Sequence, residues 1–322
     1  MMTVTAKVDR WNPNPDVIAE AAEIIKAGGL VAFPTETVYG LGADALNTQA
    51  VSSIFTAKGR PQDNPLIVHV YSLEQAESAV HMNDSAYRLA RTFWPGPLTL
   101  VLPSRDIIPA ATRAGLSTAA VRMPDNPTAR ALIFASGTMI AAPSANTSGR
   151  PSPTDAETVL HDMAGKIDMI LDGGSVKLGI ESTVIDLTDA ARPLMLRPGG
   201  MPREVIEAEL GRALEVYDTG SMKRSPGTRY RHYAPDIPVV IWRKGEKLTG
   251  DYAYMGMNIP DGVNMDRAVI FSSAENFAHG LFAGLRRLER EDVSYIAVEW
   301  PEEESGLAEG LRDRISRSAG HI

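Results

Sequence analysis

The 322-residue chain contains no cysteine. That excludes disulfides, a thiol nucleophile and cysteine-ligated zinc, and it agrees with a reducing compartment. Lysine and arginine are outnumbered by aspartate and glutamate, 32 to 40, which leaves a net charge of −8. This disfavours a uniformly basic, nonspecific nucleic-acid binder but leaves room for a local basic patch. No apolar run nears the roughly 20 residues of a membrane-spanning helix. An apolar leader is also missing, because Trp11-Asn12-Pro13-Asn14-Pro15 interrupts the start of the chain. The expectation is a cytoplasmic protein that does not engage a membrane. No GxxxxGK[ST] loop, HExxH pair or Ser–His–Asp signature occurs, and Gly40-x-Gly42 lacks the third glycine of a dinucleotide fingerprint.

What is present is 44% hydrophobic residues, enough for one large or two ordinary folded domains. Residues 16–27 place Val17, Ile18, Ala21, Ile24 and Ile25 on one side of a helix, which Asn14-Pro15 starts and Gly28-Gly29 stops. Strand-length apolar runs follow at Leu30–Phe33, Leu66–Val70, Leu98–Leu102, Ala119–Met123, Met139–Ala142, Met169–Leu171, Thr183–Leu187 and Leu194–Leu196. Helical patterns over 48–57, 73–81, 84–93 and 126–136 lie between several of them. Such alternation predicts an α/β sheet covered on both faces. A helix over 202–214 closes this first domain, residues 1–214. Residues 215–238 have the composition of a linker, with a net charge of +1 between bodies of −5 and −4. Residues 239–322 resume strands at Val239–Trp242, Tyr252–Met257, Val269–Phe271 and Tyr295–Val298, with helices near 274–290 and 305–318, and predict a smaller α/β domain.

Polar clusters follow or flank the apolar runs. Open α/β sheets bind ligands just past the carboxyl ends of their strands. Pro34–Gly42 sets Thr35, Thr37 and Tyr39 at alternate positions, facing one way if the segment is extended; a capped turn uses the same hydroxyls internally. Lys58-Gly59-Arg60, ahead of Asn64-Pro65, offers a point charge and a planar fork, the pair that grips a polyphosphate, or else a solvated basic turn. His69 ends an apolar strand. Arg122 sits inside the run Ala119–Met123, where a bare charge is costly, so either an internal carboxylate or a substrate carboxylate pairs it. Pro143–Gly149 supplies Ser144 and Asn146. Glu181-Ser182-Thr183 and Leu196-Arg197 place further polar groups at strand ends. Each cluster alone also reads as an ordinary turn. Together they collect three arginines, a lysine, several hydroxyls and a histidine at apparent sheet ends, which points to an anionic nucleotide and a small polar substrate.

In this order the motifs resemble the threonylcarbamoyl-AMP synthase family of the YrdC-type superfamily. The resemblance runs over about residues 16–200, on Pro34–Gly42, Lys58-x-Arg60 with Asn64–His69, Phe93–Thr99, Pro143–Asn146 and Glu181–Val184. Ser225–Pro235 looks like the linker of the long, two-domain form. The resemblance implies a twisted mixed-sheet YrdC-like domain with a broad concave basic face, followed by a smaller Rossmann-like α/β domain. It implies synthesis of L-threonylcarbamoyl-AMP from L-threonine, bicarbonate or CO2 and ATP, with release of pyrophosphate. Other proteins would then pass the threonylcarbamoyl group to tRNA, with direct tRNA contact left open. Mg²⁺ is expected with ATP, held mostly by phosphates and water. The roles that follow by resemblance put Lys58, Arg60, Asn64, Thr118, Ser144, Asn146, Arg197 and Tyr233 on ATP, with Lys58 and Arg60 as the catalytic pair. Thr35, Thr37, His69, Arg122, Ser182 and Thr183 fall to threonine or its carbamate, and the splits Thr35/Thr37 and Ser182/Thr183 stay open. Tyr233 and its basic neighbours would form a lid. The alternative is an RNA- or tRNA-binding module of the same fold without catalysis.

Overall fold

Four asparagines set the starts of four helices. Asn14, Asn47, Asn83 and Asn126 each accept a backbone N–H bond with the side chain, at the heads of α1 (Pro15–Lys26), α2 (Thr48–Lys58), α4 (Asp84–Phe93) and α5 (Pro127–Ser136). The computed structural model describes residues 2–216 and 232–320. The other helices of its first part are α3 (Leu73–Ala79), α6 (Ala156–Met163) and α7 (Arg203–Leu210). Its strands are β1 (Val4–Lys7), β2 (Val31–Phe33), β3 (Gly40–Asp44), β4 (Ile67–His69), β5 (Leu98–Pro103), β6 (Thr118–Arg122), β7 (Ile140–Ala141), β8 (Met169–Asp172), β9 (Thr183–Asp186), β10 (Leu194–Arg197) and β11 (Glu215–Val216). They form one mixed sheet in the order β1-β8-β2-β3-β7-β4-β6-β5-β9-β10-β11.

Every apolar run read as a strand is one. The strands missed are those with little apolar signal. β3 reads Gly-Leu-Gly-Ala-Asp, and Gly42 is needed there because a Cβ would stand 2.7 Å from the Phe33 ring. β1 is mostly exposed and is held by parallel pairing with β8. The helix expected to run to 214 stops at Leu210, where Gly211 takes a left-handed conformation.

Alternation along the strands sorts the sheet into two faces. Ala32, Val68, Leu100, Val121, Ala141, Ile170, Ile185 and Met195 point to the largest core. On the other face Val31, Phe33, Ile140, Met169 and Leu171 pack with α1 and α5. Farther along that second face only Ile67, Val101, Ala120, Val184 and Leu196 form a small apolar floor. The expectation of helices on both faces therefore holds only in part, because α1 and α5 leave the β4–β10 half of this face to other occupants.

The second sheet is wholly parallel, in the order β12 (Val239–Trp242), β15 (Tyr295–Glu299), β13 (Tyr252–Gly256), β14 (Ala268–Ile270). With it come α8 (Ala274–Leu288) and α9 (Ala308–Ser318). Its core takes in Val38, Ile180 and Tyr233, so the small-sheet body packs directly onto loops of the large sheet. Most of the expected linker, including Arg224, Arg229 and Arg231, lies outside the described residues.

Gly179 makes the contact between the bodies tight. Its φ is +80°, and a Cβ there would meet the His279 carbonyl oxygen at 2.2 Å. Backbone on both sides leaves no room to yield. Gly179→Ala is expected to cost about 2 kcal/mol or more, read as a lowered melting midpoint; an unchanged midpoint would contradict this packing.

Candidate functional site

A cleft opens over the half-face that α1 and α5 leave uncovered. It takes in about 660 Å³ with its open mouth included. Because β4 and β6 run opposite to β2 and β7, strand ends of both edges contribute. The polar clusters thus meet across a face instead of along one carboxyl edge, which is where the rule for open parallel sheets misplaced them.

At one end His69 and Arg122 lie opposite each other in parallel register at the ends of β4 and β6. Arg122 is 4% exposed. Its Nη2 lies 2.7 Å from Glu36 Oε1 and donates to Thr37 Oγ1 at 3.1 Å, and its Nε donates to the Gly96 carbonyl. The internal carboxylate that could pair it is therefore present. A bidentate hold on a substrate carboxylate is not open while Glu36 stays, since Nη1 alone makes none of these bonds. Thr35 takes the role of a turn cap: its hydroxyl donates to the Val38 carbonyl at 2.6 Å and accepts from the Thr37 and Val38 amides. Thr37 Oγ1 lies 2.8 Å from Thr35 Oγ1. Both threonines line the cleft. Burial, and then the charge of Arg122, pushes the His69 imidazole down to about 3.

Toward the other end stand Arg60, Pro65, Ser144 and Asn146. Lys58 is not among the lining side chains. It is 2% exposed and donates from Nζ to the carbonyls of Ser144 and Asn146. Burial, with Arg60 adding, holds its ammonium well below the usual lysine range. Lys58 is thus a clamp beneath the Ser144–Asn146 loop, where a phosphate-gripping side chain was expected. Asn64 is buried beside this region and Thr118 is half-buried; neither lines the cleft. Thr118 shares the cleft face of β6 with Ala120 and Arg122.

Parity separates Ser182 from Thr183. Ser182 has the cleft-side parity of Val184, lines the cleft and meets Thr99 Oγ1 at 2.7 Å. Thr183 points to the opposite face, where its hydroxyl donates to the Met201 carbonyl at 2.6 Å. Arg197 lines the cleft and donates through Nε and Nη2 to the Ser182 carbonyl; burial lowers its guanidinium from the usual range. Tyr233 lines the cleft, is 4% exposed, has φ +64° and stacks on Phe282 at 5.1 Å between ring centroids. This end of the expected lid is therefore docked; the rest of it lies outside the described residues.

Arg150, Ser152, Glu181 and His232 also line the cleft, and no role was read for them from the sequence. Three of the four stood in or beside quoted motifs, so adjacency was the signal available. Burial pushes His232 down to about 3, with Arg60 and Arg317 adding to it. Burial alone would raise Glu181, but the guanidiniums of Arg314 and Arg197 outweigh it and hold the carboxyl below its usual range.

Two depressed histidines give a pH signature. The unfolded chain binds their protons below about 6.5, whereas the folded chain does not until about 3, so this stability is complete above pH 6.5 and is lost as pH falls through that window. Each histidine is expected to cost about 2 kcal/mol by pH 5. Imidazole ¹⁵N NMR should show both rings neutral from pH 8 to 5, and titration of either near 6.5 would contradict the burial described.

Residues 23–199 match the Sua5–YciO–YrdC family model, described as "Telomere recombination", and residues 201–320 match a model described as "Threonylcarbamoyl-AMP synthase, C-terminal domain". The chain is 44% identical to threonylcarbamoyl-AMP synthase of Pyrococcus abyssi, covering 100% of this chain and 98% of the relative. It is 42% identical to threonylcarbamoyl-AMP synthase of Bacillus subtilis, covering 97% and 95%. In structure it is similar to P. abyssi Sua5 complexed with L-threonine, with TM-score 0.92, 41% identity, and 99% of this chain and 98% of that chain covered. Escherichia coli YciO superposes with TM-score 0.58 and 27% identity, over 62% of this chain and 96% of its own.

Proposed function

The chain belongs to the Sua5–YciO–YrdC family, in the form that carries the threonylcarbamoyl-AMP synthase C-terminal domain, and from that premise we infer that it makes L-threonylcarbamoyl-AMP from L-threonine and ATP. The observation that carries the reading is the cleft itself. Thr37, His69 and Arg122 gather at one end and Arg60, Ser144, Asn146 and Arg150 toward the other, with Ser182 and Arg197 also in the wall. These side chains suit a small amino acid and a polyphosphate held in one cleft. The noncatalytic RNA-binding alternative draws no support from these relatives.

In this reading the threonine amine attacks CO2 and gives a proton to solvent, or condenses with bicarbonate with loss of water, and an oxygen of the resulting carbamate attacks the α-phosphorus of ATP as pyrophosphate leaves. No enzyme nucleophile is required; the work is positioning and stabilisation of phosphate charge. Arg122 would hold the threonine carboxylate through Nη1 while Glu36 fixes the rest of its guanidinium. His69, kept neutral, is suited to orient the carbamate by a hydrogen bond and not to take up a proton. Arg60 and the Ser144–Asn146 loop, clamped by Lys58, would take the phosphates. Asn64 and Thr118 act, in this proposal, through the walls they support.

Among the described residues no group of three or more His, Asp or Glu side chains could hold a metal ion. The one carboxylate that lines the cleft among the described residues, Glu181, is already engaged by Arg314. Mg²⁺ would therefore arrive with ATP, carried by phosphate oxygens and water. We place the catalytic domain at 1–214, a linker at 215–238 and the second domain at 239–322. Transfer of the product to tRNA by other proteins, contact with tRNA and a cytoplasmic location belong to the same proposal.

Pyrophosphate release by the purified protein should require ATP, L-threonine and bicarbonate together. Arg60→Ala should lower kcat/KM for ATP by about 10²–10³-fold. Arg122→Lys should raise KM for threonine with little change for ATP. Release indifferent to threonine would overturn the reading.

A further inference from the structure

Among the described residues the cleft is lined by Arg60, Arg122, Arg150 and Arg197, and by one acid, Glu181. A bare carboxylate there would repel a polyphosphate. Glu181 is 7% exposed, and neither of its oxygens is idle: Oε1 accepts from Ser152 Oγ at 2.6 Å and Oε2 from Arg314 Nε at 2.7 Å. Arg314 comes from α9 of the small-sheet body and is fully buried. Its Nη1 donates to the Pro198 carbonyl and to Asp313 Oδ2, both at 2.7 Å, and its guanidinium lies over the Tyr233 ring, 5.6 Å from the centroid. One side chain of the second body thus touches the acid, the aromatic and the backbone that shape one wall of the cleft.

We propose that Arg314 is a positioning residue for the nucleotide: it masks the charge of Glu181 and fixes Tyr233, so that the wall they form accepts the phosphates of ATP. The proposal rests on the functional reading above. It gives the second body a part in the chemistry distinct from covering the site. Arg314 does not line the cleft and acts only through the groups it holds.

The electrostatics around Glu181 make this testable. Arg197 faces it from the large sheet, His232 and Tyr233 from the segment between the bodies, and Arg314, backed by Asp313, from α9, with Arg317 of the same helix beyond His232. In Arg314→Gln the carboxylate loses its principal cation. The KM for ATP should rise about 10- to 100-fold, the scale of one unmasked charge several ångströms from a phosphate at an effective dielectric near 20. The excess over wild type should narrow from pH 8 to pH 6 as Glu181 takes up a proton. Arg314→Lys, which keeps the charge, should recover most of the affinity, and Glu181→Gln combined with Arg314→Gln should bind ATP more tightly than Arg314→Gln alone. A purely structural Arg314 predicts neither the pH trend nor the rescue by a second lost charge.

The measurements are steady-state pyrophosphate release with varied ATP at saturating threonine, using the full chain. A folded Arg314→Gln with wild-type KM for ATP, or a double variant no better than the single one, would overturn the proposal. Should Arg314→Gln not fold, the double variant Glu181→Gln/Arg314→Gln decides: a KM for ATP within a few-fold of wild type upholds the masking, and one raised about 10-fold or more refutes it. Absence of threonine-dependent release in the wild type would instead sink the functional reading and is seen before any variant is made.

Discussion

Glu181 and Arg314 meet at 2.7 Å, both almost wholly out of water, and the arrangement around the cleft depends on that contact. A buried ion pair adds little stability over a well-packed apolar pair, but removing one partner costs about 3–5 kcal/mol. Once Glu181 is committed to the wall of the cleft, α9 has to remain seated on the large sheet. The same logic repeats along the interface. Arg286 of α8 grips Asp162 through two nitrogens and donates to the Pro151 carbonyl, and Asp162 in turn accepts the Thr147 amide at the end of the Ser144–Asn146 loop. Arg150, a lining residue, is held by Glu289 at the C-terminal cap of α8. The second body is therefore joined to the first mainly at residues that shape the site.

Burial also explains why this cleft can concentrate so much positive charge. Arg122 is fixed by Glu36 and the Gly96 carbonyl, and Arg197 by the Ser182 carbonyl. Lys58 goes further and faces two carbonyls, with its ammonium destabilised by burial. The histidines respond in the same direction and stay neutral. The lining groups hold one another through bonds within the protein, which is what positioning catalysis demands.

Much of this was legible from residues alone. Apolar runs located every described strand except β1, β3 and β11, because hydrophobic burial is what makes them strands. The motifs named the loops that converge on the cleft and the family to which they belong. Three things were not legible. β3 carries two glycines where the Phe33 ring needs space, so its strand nature is a tertiary effect. The roles of Lys58 and Thr183 turned on direction: one points beneath a loop and the other to the far face of the sheet, and a one-residue change of parity separates Ser182 from Thr183. Arg314 gave no signal, since an arginine in a polar amphipathic helix such as α9 reads as solvent-facing until its partner, 133 positions earlier, is known.

The central claim is that threonine and the nucleotide share this one cleft, at opposite ends. A crystal structure of the full chain with L-threonine and a nonhydrolysable ATP analogue tests it most directly. The account predicts the threonine carboxylate at hydrogen-bond distance from Arg122 Nη1 and the phosphates between Arg60 and the Ser144–Arg150 loop. Either ligand bound away from these side chains, or Glu36 displaced from Arg122 by the substrate carboxylate, would contradict it.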